Sequence, residues 1–155
     1  MNKIQIIYRL LNSDNNKVQN IGLSLANKVK DLNFLIMPPA SPLVWENCAG
    51  ALYKMSDDKL EKYLPSLLEW LQDLNWPGAL KISDRLKIFS GEKLKKPLID
   101  CVSYADSLNN EEGLRWLDYL SELLDNKDLK AKLPNLTIEK LQMHYKNWGY
   151  WWGQK

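Results

Sequence analysis

The sequence has little of the residue chemistry on which most active sites depend. Its 155 residues include one histidine, His144, and two cysteines, Cys48 and Cys101, which are 53 positions apart. No CxxC, HExxH or Gly-x-Ser-x-Gly motif occurs, and no glycine-rich phosphate-binding loop. We therefore predict no catalytic residue, no metal and no cofactor, although the many carboxylates leave an unusual acid–base enzyme open.

Long hydrophobic runs are also missing. The longest uncharged run, residues 32–45, has fourteen residues and contains three prolines, so it cannot be a transmembrane helix. The N-terminus carries Arg9 within an amphipathic pattern and lacks the apolar core and small-residue cleavage site of a signal peptide. We expect a cytoplasmic protein without a membrane partner, in which Cys48 and Cys101 are free thiols on apolar helix stripes.

The composition is that of one soluble globular domain. Hydrophobic residues make up 45% and charged residues 26% of the chain, and a domain of this length buries roughly 70% of its unfolded surface. The net charge is +2, but the charges alternate in blocks: residues 75–100 hold six basic and three acidic side chains, whereas residues 101–126 hold one basic and six acidic. In a stacked architecture each block would form a band on the surface.

Apolar residues recur at helical spacing, and strand signals do not. We predict an all-α, HEAT-like right-handed solenoid of about three helical hairpins with a C-terminal capping helix, in one domain over 1–155. The parts are a first hairpin at 1–31, a Pro-rich loop at 32–43, a central hairpin with a short preceding helix at 44–90, a third hairpin at 93–125, and a capping helix with an aromatic tail at 137–155.

Prolines and glycines mark the expected elbows. Pro65 and Pro97 lie inside helical patterns, and Pro65 is expected to kink its helix without ending it. Pro77 is expected in the first turn of a new helix capped by Asn75. Gly78 should let that helix approach its neighbour closely. Gly22, Gly78 and Gly113, taken as equivalent points near the starts of second helices, are 56 and 35 residues apart, and the shorter interval is close to a helical-hairpin repeat. The segment FSGEK at 89–93 is expected to end a helix.

Three features are candidates for binding. The acids of residues 106–125 follow helical spacing opposite a leucine stripe, which is typical of a solvated face and also suits a charged binding surface. The tail NWGYWWGQK clusters four aromatic residues, which either cover the end of the solenoid or contact a partner. Trp76, beside the turn residues Asp73 and Asn75, could face either the core or a partner.

The segment LEKYLPSLLEWLQDLNWPGALKISDRLKIF, residues 60–89, resembles a HEAT-type helical hairpin. Within it, LPSLLEWLQDLNWPGA is similar to the signature of a bacterial family of small HEAT-like proteins, and the resemblance extends over about residues 44–124. Some members of that family are immunity proteins of polymorphic toxin systems, including contact-dependent growth inhibition. The resemblance implies a cytoplasmic protein that binds one toxin domain, often a nuclease, and it carries no catalytic residues over.

We therefore expect an immunity protein, not an enzyme, that neutralises a cognate toxin domain by occluding its active site or substrate surface, as a monomer in a 1:1 complex. An adaptor that holds a peptide or protein without any toxin is the alternative. Direct binding of nucleic acid by the basic blocks at 75–100 and 127–155 is less favoured, because the acidic blocks would repel phosphate. The predicted partner-binding residues are Trp76, Asp106, Glu111, Glu112, Arg115, Asp118, Tyr119, Glu122, Tyr150, Trp151 and Trp152.

Overall fold

A computed structural model describes residues 2–39 and 41–144, and within them all regular structure is helical. The α-helices are α1 Lys3–Leu11, α2 Asn16–Asn27, α3 Trp45–Tyr53, α4 Asp57–Leu60, α5 Leu64–Glu69, α6 Ala79–Lys87, α7 Gly91–Ser107, α8 Glu111–Ser121, α9 Lys127–Lys132 and α10 Asn135–Met143. Short 3₁₀ turns lie at Leu32–Leu35, Pro42–Val44, Glu61–Tyr63, Trp70–Gln72 and Glu122–Asp125. The all-helical prediction is therefore confirmed.

Polar caps start most of these helices. In six of them an asparagine or serine side chain accepts a hydrogen bond from a first-turn N–H, which satisfies a donor that the helix itself cannot. The capping residues are Asn2, Asn15, Ser56, Ser90, Asn110 and Asn126.

The helices pack in a regular order. Helices α1 and α2 form a hairpin, and α1 contacts α3. Farther along the chain, α5 packs on α7 and α7 packs on α9, while α3 packs on α6 and α8 packs on α10. Helices two positions apart in the chain therefore lie side by side from α5 to α10, whereas α3 packs on the helix three positions later. One buried cluster runs from Ile7 to Leu141.

The elbow between α5 and α6 differs from the prediction. Helix α6 begins at Ala79, and Pro77 and Asn75 lie in the turn before it. The Asp73 carboxylate accepts the Asn75 N–H at 2.8 Å, which holds Asn75 in a turn where it does not cap the helix. The residue before α6 is Gly78, whose φ of +81° is the left-handed conformation that glycine adopts without strain.

Gly78 also allows the close approach that its sequence position predicted. A Cβ atom at this position would lie 2.7 Å from the Ala49 Cβ, 2.8 Å from the Trp45 carbonyl oxygen and 2.9 Å from the Trp70 ring. The Gly78 N–H donates to a Glu46 carboxylate oxygen at 2.5 Å. The elbow is thus fastened to α3 through contacts that only tertiary structure provides.

The segment FSGEK begins a helix and does not end one, so that prediction is wrong. Ser90 caps α7 by accepting the Lys93 N–H, and Gly91 is the first residue of the helix. The N–H groups of Ser90 and Gly91 donate to the carboxylates of Asp57 at 2.9 Å and Asp128 at 2.8 Å. Acids from two other helices therefore satisfy the donors at this helix start.

Two buried polar side chains connect the region of the α6–α7 elbow to other parts of the chain, one to the start of α4 and one to the start of α9. The Arg85 guanidinium, 6% exposed, donates to Asp57 at 2.6 Å and to the Met55 carbonyl at 2.9 Å. The Asn126 amide, 4% exposed, donates to the carbonyls of Leu86 at 3.0 Å and Phe89 at 2.9 Å.

Prolines act in two ways. Pro65 lies in the first turn of α5, directly after the 3₁₀ turn Glu61–Tyr63. The expected kink within one helix is therefore a break between α4 and α5. A proline has no N–H to bond the carbonyl four residues earlier, which here is that of Glu61. Pro97, in contrast, lies within the continuous helix α7.

The C-terminal part contains one helix more than expected. Helix α9 was not predicted, and α10 begins at Asn135, two residues before the expected start at Thr137. Gly22 lies in the middle of α2 and not near its start. None of the helices in the described residues is both long and apolar enough to cross a membrane.

Candidate protein-binding surface

Helix α8, the end of α7 and the 3₁₀ turn after α8 carry the row of acids that the sequence singled out. Asn110 caps α8 by accepting the Gly113 N–H at 2.8 Å, and the first-turn acids Glu111 and Glu112 interact favourably with the helix dipole. Its inner side is fixed by buried Leu114, Trp116, Leu117 and Leu120. With the core side occupied in this way, the charged side of the helix faces solvent.

We call the exposed acids of this region the acidic face. Its members are Asp106, Glu111, Glu112, Asp118, Glu122 and Asp125. Arg115 and Tyr119, also predicted to bind a partner, are half-buried on the same helix. The structure therefore brings seven of the predicted residues to α8 and its two flanks, namely Asp106, Glu111, Glu112, Arg115, Asp118, Tyr119 and Glu122.

Most acids of this face already have cationic partners. Asp106 pairs with Lys140 of α10 at 3.3 Å, and Glu111 pairs with Arg115 one turn later in α8 at 4.0 Å. These side chains are substantially exposed, so each pair contributes little stability, with a typical value below about 1 kcal/mol. The pairs nevertheless lower the net negative charge that an approaching molecule meets.

Lys87, at the end of α6, neutralises the other end of the face. Its ammonium lies 3.3 Å from Glu122 and 3.5 Å from Asp125. Burial lowers the pKa of Lys87, but the bonds to these two carboxylates outweigh burial and raise it above its ordinary value. Glu112 is the one acid of the face for which the described residues provide no ion-pair partner.

His144 binds Asp118 from the end of α10. The imidazole is 7% exposed, with Nε2 at 3.1 Å from the Asp118 carboxylate and Nδ1 at 2.7 Å from the Leu141 carbonyl. The pair links α8 to α10 at a residue of the acidic face, and helical spacing alone could not predict it.

Trp76 lies at the α5–α6 elbow and is 36% exposed. Its ring meets Trp45 edge-on at a centroid distance of 6.1 Å, and Trp45 meets the buried Trp70 in the same manner at 5.9 Å. The Trp70 indole N–H donates to the Pro77 carbonyl at 2.9 Å. One side of the Trp76 ring therefore packs against Trp45, and the other side is exposed to solvent. Trp76 contacts the core and is also accessible to a partner.

Helix α8 connects the elbow with the acidic face. It packs on the 3₁₀ turn Trp70–Gln72, which leads into the elbow, and the Trp116 indole donates to the Leu68 carbonyl at 3.1 Å. Tyr104 of α7, 59% exposed, stacks edge-on with Trp116. Sequence reasoning missed Tyr104, since a single exposed tyrosine in a helix gives no distinctive pattern.

The predicted residues Tyr150, Trp151 and Trp152 lie outside the residues that the structure describes. Their part in binding stays a prediction.

The basic block at 75–100 is largely neutralised within the protein. Lys81 pairs with Glu46, Lys93 with Asp58 and Glu61, and Lys96 with Asp100. Arg85 and Lys87 are paired as described above. Among the described residues Lys95 is the one basic side chain of this block without an ion-pair partner, so the block carries little unpaired positive charge for phosphate contact.

The two thiols are poorly suited to nucleophilic chemistry. Burial raises the pKa of Cys48 and that of Cys101 to about 12 in each case, so both stay protonated near neutral pH. Both are free, as predicted. In the part of the chain that the structure describes, no group of three or more histidine, cysteine or acidic side chains is placed to hold a metal ion.

These features define an all-helical protein whose distinctive surface is an acidic helix beside an exposed tryptophan. The chain belongs to the family described as Domain of unknown function (DUF5071), whose model matches residues 46–147. The match runs from α3 through α10 and omits the hairpin of α1 and α2. No curated protein and no solved structure matches the chain, and nothing in the family match concerns toxins or immunity, so that part of the resemblance stays a prediction.

Proposed function

We propose that this protein is a cytoplasmic immunity protein that binds a cognate toxin domain of nuclease type and blocks its active site or substrate surface. The observation that carries the binding role is the acidic face on α8, with its exposed and partly unneutralised carboxylates. The choice of a toxin as the partner rests on the resemblance of residues 44–124 to small HEAT-like proteins. No catalytic residue of this chain takes part.

A basic substrate surface suits this face chemically. Nucleases hold phosphate groups with lysine and arginine side chains, and carboxylates on a rigid helix can occupy the same positions. Such charges mainly accelerate the encounter of the two proteins, and salt weakens the effect. At most of these acids, basic groups of the toxin would have to replace the existing partners Lys87, Lys140 and Arg115. At Glu112 no such replacement is needed.

Trp76 is the proposed apolar anchor. Trp76 lies just before α6, and Lys87, which pairs with Glu122, is the last residue of α6. This nine-residue helix is about 14 Å long. A standard interface covers about 800 Å² on each partner, a patch about 30 Å across. One partner could therefore contact Trp76 and the acidic face together, with a buried tryptophan contributing a large share of the affinity.

We further propose that the helices form a HEAT-like right-handed solenoid. The support is the packing order, in which α5, α7 and α9 are successive neighbours and α3 packs on α6 as α8 packs on α10. Consecutive hairpins of a solenoid contact each other in this manner. The pair of α9 and α10 would then cap the C-terminal end in place of a single helix.

The test begins with affinity capture of the tagged chain from its native cells at moderate salt, followed by mass spectrometry. We expect one toxin C-terminal domain in stoichiometric amount, whose activity the purified chain abolishes. Several housekeeping proteins would instead favour an adaptor, and bulk RNA would favour nucleic-acid binding. Either result would refute the immunity role.

Charge reversal then tests the face itself. Glu112→Lys should slow association with the captured domain by about tenfold at low salt and reduce its salt dependence. Glu111→Lys should have a smaller effect because Arg115 already offsets that carboxylate. The matched control is Asp14→Lys, an identical charge change on an exposed loop between α1 and α2. Equal rates for Glu112→Lys and wild type would show that the acidic face does not steer binding.

A further inference from the structure

A groove lies between the N-terminal hairpin and α3, away from the acidic face. Two adjoining cavities of about 160 and 230 Å³ share Leu23, Ala51 and Lys54 as lining residues. Gly50 and Lys81 line one cavity, and Met55 lines the other. We call the surface formed by these six residues the basic groove. One wall belongs to α2, outside the family match, and the other to α3, inside it.

Gly50 opens the groove although the fold does not require a glycine there. A Cβ atom at Gly22, Gly78, Gly91 or Gly113 would approach another atom to 2.9 Å or less. At Gly50 the nearest atom would be the Lys81 Nζ at 3.6 Å, an ordinary contact, and α3 is regular at this point. Glycine is a poor helix former, so packing does not account for this residue, whereas an open groove does.

The charged side chains that line the groove are all basic. Lys54 and Lys81 line it, and no lining residue is acidic. Lys81 is ion-paired with Glu46 at 3.4 Å, and Glu46 is also bonded to the Gly78 N–H. Both side chains of this pair are exposed, so the pair is weak and a carboxylate of a partner can replace Glu46. At the other end the Lys59 ammonium contacts the side chain and carbonyl of Asn27. The floor is apolar, with buried Ala51 and Met55.

We propose that the basic groove binds an extended acidic segment of a partner protein. From Asn47 to its end at Tyr53, α3 rises about 9 Å, which matches about three residues of an extended chain. Gly50 lets the backbone of that segment approach α3 closely. Lys54 lies about 6 Å along the helix from Gly50. The Lys81 ammonium lies next to Gly50, 3.6 Å from the position that a Cβ atom would take there. Carboxylates of such a segment can pair with Lys54 and Lys81, the two cations of the lining.

The test uses fluorescence polarisation with a fluorescein-labelled peptide of alternating glutamate and leucine. Its counterpart with glutamine in place of glutamate is the probe control. We expect the glutamate peptide to bind the full chain and the glutamine peptide not to bind. Lys54→Glu combined with Lys81→Glu should weaken binding by about tenfold or more, whereas the remote Lys130→Glu on α9 should leave it unchanged.

Gly50→Gln separates binding from folding. A glutamine side chain would fill the groove, and its helix propensity should keep the thermal midpoint at or above the wild-type value. We expect this variant to fold and to lose the peptide. Equal binding of both peptides, binding that survives these substitutions, or a concentration-dependent dimer of the chain alone that Gly50→Gln abolishes would overturn the proposal. None of these results depends on the acidic face, so the proposed function is tested separately.

Discussion

Replacing Gly78 with alanine should destabilise the protein by about 3 kcal/mol. Its φ of +81° costs an alanine about 1–2 kcal/mol. The new methyl group would also lie 2.7–2.9 Å from Ala49, Trp45 and Trp70, and crowding of this kind in a packed core costs roughly 1–3 kcal/mol. Two of these neighbours belong to α3, so the turn cannot move outward without breaking the bond to Glu46.

The measurement is equilibrium unfolding in urea, followed by tryptophan fluorescence and circular dichroism. For a domain of this length, 3 kcal/mol corresponds to a fall of about 6–12 °C in Tm. Gly50→Ala is the matched control, since its methyl group would make only an ordinary contact with the Lys81 Nζ at 3.6 Å and lies within a helix, so it should stabilise the protein by up to about 1 kcal/mol. A loss below about 0.5 kcal/mol for Gly78→Ala, or equal losses for the two variants, would refute this account of the elbow.

Three further predictions concern the polar network and the thiols. Arg85→Met should cost about 3 kcal/mol in urea unfolding, because it leaves the Asp57 carboxylate without its cation; Asp57→Asn combined with it should recover part of that loss, and additive losses would contradict the pairing. The hydrogen bond from Lys132 lowers the pKa of Asp128, so its stabilisation is complete above the unfolded pKa of about 4 and is lost as pH falls through the folded pKa. Asp128→Asn should therefore flatten the loss of Tm below about pH 4, and an unchanged slope would contradict this. Cys48, with a pKa of about 12, should resist a disulfide thiol reagent at pH 8 until denaturant is added, whereas rapid labelling of the folded protein would show that it is accessible.

The helices could be predicted from the sequence because their apolar residues repeat with the helical period. Leu60, Leu64, Leu67, Leu68 and Leu71 all became buried, and the interruption before Pro65 followed from the missing N–H of proline. Helix α9 could also have been found, since Asn126 followed by Leu129 is a cap before an apolar residue.

Tertiary partners explain what the sequence could not predict. Pro77 suits a helix start locally, but the bond from Gly78 to Glu46 places that start two residues later. FSGEK resembles a helix end, yet Gly91 bonds to an aspartate 37 residues farther along. The acidic face was correctly placed as an exposed row, whereas its ion pairs with Lys87 and Lys140 and the contact of Asp118 with His144 depend on which helices become neighbours.

The Asn126 amide makes the protein sensitive to one chemical change. Its NH₂ group donates to the carbonyls of Leu86 and Phe89, and its oxygen accepts the Leu129 N–H. Deamidation would keep the shape of the side chain but replace the donor with a carboxylate oxygen facing two carbonyl oxygens, which repel it. Deamidation of Asn126 would therefore weaken the connection between the end of α6 and the start of α9. The rate of this one reaction would then limit how long the purified protein stays folded in storage.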